Sequence, residues 1–120
     1  MGLFAIWVEL PAKDINRAAK FYGELFGKEI AINDEGVRKT AVIHYEENAT
    51  GLSLTETANF EPSEHGIWVY LNAQGRLDEL AKKAVELGGT ITTPKTSMGE
   101  AGNYIAVKDT EGNIVALWSM

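Results

Sequence analysis

Apolar and polar positions alternate over Ile6-Trp7-Val8-Glu9-Leu10, and the alternation returns almost letter for letter at Ile67-Trp68-Val69-Tyr70-Leu71, 61 residues later. A period of two is the mark of a strand with two unlike faces. Ile6, Val8 and Leu10, with Ile67, Val69 and Leu71, make an aliphatic side that calls for a helix over it. Trp7 and Glu9, with Trp68 and Tyr70, stand on the other side, a mixed surface suited to a ligand cleft or a packed interface.

After the first strand, Pro11-Ala12-Lys13-Asp14 supplies a turn and an N-cap. Ile15, Ala18, Phe21, Tyr22 and Leu25 then follow at helical spacing until Phe26-Gly27 ends the segment. Lys28 to Asn33 reads as a strand, Asp34-Glu35-Gly36 as a turn, and Thr40 to Tyr45 and Gly51 to Thr55 as two short strands. The stretch Glu56 to Glu64 has neither period and reads as a link. The plan then repeats: strand Ile67 to Leu71, a helix carrying Leu77, Leu80, Ala84 and Leu87, a stop at Gly88-Gly89, and a strand around Ile91. Thr93 to Gly102, with Pro94, Met98 and Gly99, reads as a long loop, either a solvated connector or a lid. Tyr104 to Lys108 and Ile114 to Ser119 form a hairpin around Asp109-Thr110-Glu111-Gly112-Asn113. The expectation is one α+β domain over 1–120 made of two tandem βαβββ modules, about 1–58 and 62–120.

At 120 residues the chain is long enough to bury a core without a staple. The absence of cysteine removes thiolate nucleophiles, zinc-thiolate sites and disulfides, and fits a reducing compartment. With 11 Lys+Arg against 17 Asp+Glu and a net charge of −6, no basic stripe exists for a nucleic acid to meet. The start, Met1 to Val8, is apolar but too short and too poor in positive charge for a signal peptide or a membrane span, and a myristoylation pattern is absent. A cytoplasmic protein with no membrane partner is expected.

A first helix ending Phe21-Tyr22-Gly23-Glu24-Leu25-Phe26-Gly27, the stop at Gly88-Gly89, and Asp109-Thr110-Glu111-Gly112-Asn113 before the last strand, set in two βαβββ modules, resemble the vicinal oxygen chelate superfamily. This is the glyoxalase, bleomycin-resistance and extradiol-dioxygenase superfamily. The resemblance covers the whole chain and implies curled mixed sheets around a cleft, helices outside, and homodimerisation. It also implies a metal held by the first and last strands of each module, at positions that map to Trp7, Ser53, Trp68 and Ala116. An indole has an N–H but no lone pair for a metal, and alanine offers nothing, so no metal and no other cofactor is expected.

His44, His65, Glu9 and Glu56 are the alternative ligands, but no two share one side of one element at ligand spacing. If the strand from Gly51 pairs antiparallel with the one before it, Ile43 opposes Ser53 on the cleft side and His44 shares the side of Leu52. Neither a nucleophile elbow nor a phosphate-cradling glycine loop is present. Strand alternation places Trp7, Glu9, Ser53, Thr55, Trp68, Tyr70, Tyr104, Ala106, Ala116 and Trp118 on the cleft side, with all three tryptophans among them. Three functions suit such a surface. The preferred one is metal-free binding of a small aromatic or apolar molecule by the tryptophans, as in the superfamily's drug-binding members. The second is a lyase, isomerase or dioxygenase with Glu9 as general base, and the third a dimeric interaction module whose cleft is filled.

Overall fold

A strand extends only as far as it has a partner, and this sets where each copy of the repeat begins. In the computed structural model, which describes residues 2–120, the first strand runs Trp7–Pro11 (β1) and the corresponding strand of the second half runs Val69–Asn72 (β5). Ile6 and Ile67, expected on the helix-covered side, lie just outside them and are exposed. Their aliphatic companions Leu10 and Leu71 are buried as the alternation requires. Of the apolar start, Met1 lies outside the described residues.

The remaining elements are the helix Ile15–Phe26 (α1), strands Ile32–Asp34 (β2), Arg38–His44 (β3) and Gly51–Thr57 (β4), the helix Leu77–Glu86 (α2), and strands Thr90–Ser97 (β6), Asn103–Lys108 (β7) and Ile114–Ser119 (β8). The chain divides into two compact units, Met1–Pro62 and Ser63–Met120, here called modules one and two. Each is βαβββ with an open four-stranded mixed sheet, ordered β1-β4-β3-β2 in one and β5-β8-β7-β6 in the other. The first strand of each module pairs in parallel with the last, and the other pairings are antiparallel. Two helices over mixed sheets make an α+β fold.

In module one, α1 covers β3 and β4 and buries Ile15, Ala18, Phe21, Tyr22 and Leu25 against Ala41, Ile43, Leu52 and Leu54. Asp14 caps it as expected, Oδ1 accepting from the backbone N–H of Asn16 and Arg17 at 3.1 and 3.2 Å, and Gly27 ends it in the left-handed region at φ 67°. Glu56, weighed above as a metal ligand, is spent on the same helix: its Oε1 accepts from the N–H of Ile15 at 2.8 Å. In module two, α2 lays Leu77, Leu80, Ala81 and Ala84 against the β7 and β8 side that carries Ile105, Val107, Val115 and Leu117.

Three sequence expectations need correction. Lys28 to Ala31 is a connection rather than a strand, its first N–H bonded to the carbonyl of Gly23 at 2.8 Å as the helix ends. Thr93 to Gly102 is not a long loop, because β6 runs on to Ser97 and only Met98–Gly102 remains. Pro94 misled: β6 is an edge strand, and its register slips between Thr93 and Thr96, so the residue without an N–H sits at a bulge where no ladder bond is lost. A bulge also separates Val42 and His44, so Val42 rather than Ile43 opposes Ser53, and Ile43 is buried with Ala41 under α1. His44 pairs with Leu52 in register.

Asp109-Thr110-Glu111-Gly112-Asn113 is the expected hairpin turn. Asp109 Oδ1 accepts the backbone N–H of Glu111, Gly112 and Asn113 at 2.9, 3.0 and 2.9 Å, and Oδ2 accepts from the Asn113 amide at 3.0 Å. One buried carboxylate thus stands in for the ladder bonds the turn lacks.

Candidate functional site

The side of the module-one sheet away from α1 carries Trp7 and Glu9 on β1, Gly51, Ser53 and Thr55 on β4, and Arg38 on β3. Parallel register sets Trp7 beside Gly51 and Glu9 beside Ser53. The Trp7 indole Nε1–H donates to Ser53 Oγ at 3.0 Å. Its six-membered ring covers Gly51 so closely that a Cβ there would stand 2.3 Å from the ring. Tyr45 adds a second ring at 6.1 Å, tilted by 33°. Glu9 is gripped through one oxygen: Oε2 accepts from Thr55 Oγ1 at 3.0 Å and pairs with the Arg38 guanidinium. Thr55 is wholly buried, so it anchors one carboxylate oxygen to the sheet, while the Glu9 side chain as a whole stays about a third exposed.

The matching side of module two is aromatic. Tyr70 on β5 and Ala106 on β7 flank Ala116 on β8, Tyr104 on β7 lies one pair further along opposite Trp118, and Trp68 stands one residue before β5. The three rings touch pairwise, with centroids 6.5 Å (Trp68–Tyr70), 6.0 Å (Trp68–Tyr104) and 5.9 Å (Tyr70–Tyr104), two contacts edge-on and one tilted. Such contacts add about 0.5–1.5 kcal/mol each beyond area burial and hold the cluster together. Trp68 is 37% and Tyr70 46% exposed, while Ala106 and Ala116 form a fully buried floor. Small side chains on the two inner strands leave room for large rings over them. Trp118 does not join the cluster: its Nε1–H donates to the Ala101 carbonyl at 2.6 Å and closes the Met98–Gly102 turn.

The expected site residues therefore sort into two groups, Trp7, Glu9, Ser53 and Thr55 in module one, and Trp68, Tyr70, Tyr104 and Ala116 in module two. Arg38, Gly51 and Tyr45 escaped the sequence reading. A lone glycine opening a strand, opposite a tryptophan, is the signal that marks Gly51 as a place of close approach. Arg38 was missed because the strand was started at Thr40, two residues late.

The family model for the glyoxalase/bleomycin resistance protein/dioxygenase superfamily matches residues 5–117. The chain belongs to this superfamily. Among solved structures, this superfamily member is similar to a glyoxalase/bleomycin resistance protein from Albidiferax ferrireducens T118, with a TM-score of 0.74 and 20% identity over 95% of this chain and 96% of that one. It is also similar to the hypothetical protein SA1046 of S. aureus, with a TM-score of 0.72 and 21% identity over 100% and 96%. These likenesses speak for the fold alone. A curated relative, "Putative glyoxylase CFP32" of Mycobacterium tuberculosis, is 29% identical over 93% of this chain and 44% of its own. The chain thus spans less than half the length of that relative.

The metal positions implied by the superfamily carry no ligand set in this member. The Trp7 N–H is a donor already spent on Ser53, Trp68 presents a ring to two tyrosines, and Ala116 is a buried methyl. Among the described residues, no three His, Cys, Asp or Glu side chains are grouped so as to hold a metal. His65 is exposed, its backbone N–H on Ser63 Oγ at 3.0 Å. No helix among the described residues is long and apolar enough to cross a membrane.

Proposed function

We propose that this superfamily member is a binding protein that holds a small aromatic or apolar molecule against the Trp68–Tyr70–Tyr104 surface without using a metal. The observation that carries this reading is the half-exposed triad of mutually buttressed rings over the Ala106–Ala116 floor. Rings that brace one another lose little freedom when a ligand arrives, so most of the stacking energy, about 0.5–1.5 kcal/mol per ring, goes into affinity. Side chains that offer π-faces and two phenol hydroxyls suit holding a flat molecule by stacking and hydrogen bonds.

2-Naphthol serves as the test ligand, its affinity read by calorimetry and its place by the indole N–H signals in a ¹H–¹⁵N spectrum. Saturable shifts of the Trp68 signal are expected, with Trp68→Ala weakening binding about tenfold, the loss of roughly 1.4 kcal/mol of stacking. Chelator treatment should leave binding as it was. Equal affinity in Trp68→Ala, or loss of binding with EDTA, refutes the reading.

A further inference from the structure

Trp7 is fixed at two points, by its N–H on Ser53 Oγ at 3.0 Å and by the bare backbone of Gly51 under its ring. With the N–H spent and one face seated on the sheet, the residue is still 40% exposed. It is a rigid platform. Glu9 follows two residues along the same strand, about 6.6 Å away at strand rise. Its Oε2 is taken by Thr55 and Arg38, whereas its Oε1 has no hydrogen-bond partner among the described residues. Both Trp7 and Glu9 are thus held in place by neighbours; the Tyr45 ring lies beside Trp7 at 6.1 Å, and what stays open is the exposed part of the indole and one carboxylate lone pair.

We propose that this face of module one is a two-point site for a planar aryl amidine or N–H-bearing nitrogen heterocycle, whose ring lies on Trp7 while its N–H donates to Glu9 Oε1. The assignment rests on the reading of the protein as a binder of flat small molecules, but it uses none of the module-two rings. An ordinary surface ion pair waves in solvent and selects nothing. Here a wholly buried threonine hydroxyl holds the carboxylate down, and Arg38 occupies the oxygen that a ligand does not need. A donor in the plane of a ring complements this arrangement, and an acceptor in the same place does not.

Benzamidine is the probe and benzoate its acceptor-bearing counterpart, each titrated into the full chain while the three indole N–H signals are followed, assigned through Trp→Phe variants. Benzamidine should shift the Trp7 signal saturably, and benzoate should not. Glu9→Gln, which replaces a charged acceptor with a neutral one, should weaken benzamidine about tenfold. Gly51→Ala, which lifts the ring from its seat, should weaken it at least as much. Arg38→Met leaves the carboxylate charge unopposed and should tighten binding, so the proposal stays testable if Glu9→Gln disturbs the fold. Benzoate acting on Trp7 as strongly as benzamidine, or unchanged affinity in Glu9→Gln, overturns it. Benzamidine shifts confined to Trp68 also overturn it while leaving the proposed function standing. Shifts at Trp7 together with no 2-naphthol response at Trp68 do the reverse.

Discussion

Gly51 and Asp109 show how single residues shape this molecule. Gly51 is not in the left-handed region, so alanine suits its backbone, yet the added methyl would collide with the Trp7 ring. Gly51→Ala should cost about 1–3 kcal/mol, the range for overpacking, and move the Trp7 indole signal, although alanine is the better strand former. Urea unfolding monitored with the same spectrum separates these effects, and a variant as stable as the parent would mean that the ring swings aside freely. Asp109→Ala removes the acceptor for three turn N–H groups and should destabilise by about 2–3 kcal/mol, read as a shifted urea midpoint at constant slope. The turn was legible as Asp-Thr-Glu-Gly-Asn, but which oxygen served which N–H was not. Likewise Trp7 and Ser53 were both marked for one face from alternation, while the hydrogen bond between them required the parallel register of β1 and β4.

At the scale of elements, both helices were readable from 3.6-residue periodicity; caps reinforce it in α1, which Asp14 and Gly27 bound as the sequence indicates, whereas α2 starts at Arg76 without a side-chain cap and closes on Leu87. Asp14→Ala should lower stability by about 1 kcal/mol in the same assay, with the loss limited because Glu56 still caps Ile15. That second cap joins residues 41 positions apart and leaves no local trace in the sequence. Strands were harder, since their limits depend on a partner: β6 continues through Pro94 because an edge strand tolerates a bulge, and β2 is shorter than its apolar run. At the start of α2, Arg76 Nη2 donates to Glu79 Oε2 at 2.8 Å. That hydrogen bond first, and the Arg76 charge second, hold the Glu79 carboxyl below its ordinary range, and the guanidinium is correspondingly raised. A carboxylate lowered on folding contributes stability above its unfolded pKa and loses it as pH falls through the folded one. Both groups are fully exposed, so salt should weaken the effect. A carboxyl-carbon NMR titration should place the Glu79 midpoint higher in Arg76→Gln than in the parent.

For the molecule as a whole, superfamily membership and the α+β plan of two βαβββ modules were legible from the 61-residue repeat, because a duplicated unit writes its period into the sequence. The chemistry on the two sheets was less so, since the modules diverged there: one holds an indole over a bare glycine beside an ion pair, the other three rings over alanine. Native mass spectrometry of protein purified without chelators should show no stoichiometric metal, and a retained organic mass would identify a ligand directly. The topology has a further consequence during synthesis. Among the described residues β1 and β5 each pair only with the last strand of their own module, so neither has a neighbour until residues 51–57 or 114–119 have left the ribosome. For some forty residues of translation each first strand travels as an unpaired apolar segment, and Trp7 and Trp68 travel with it. The rings of the proposed recognition surface are, in the nascent chain, apolar surface still waiting for the strands that will seat them.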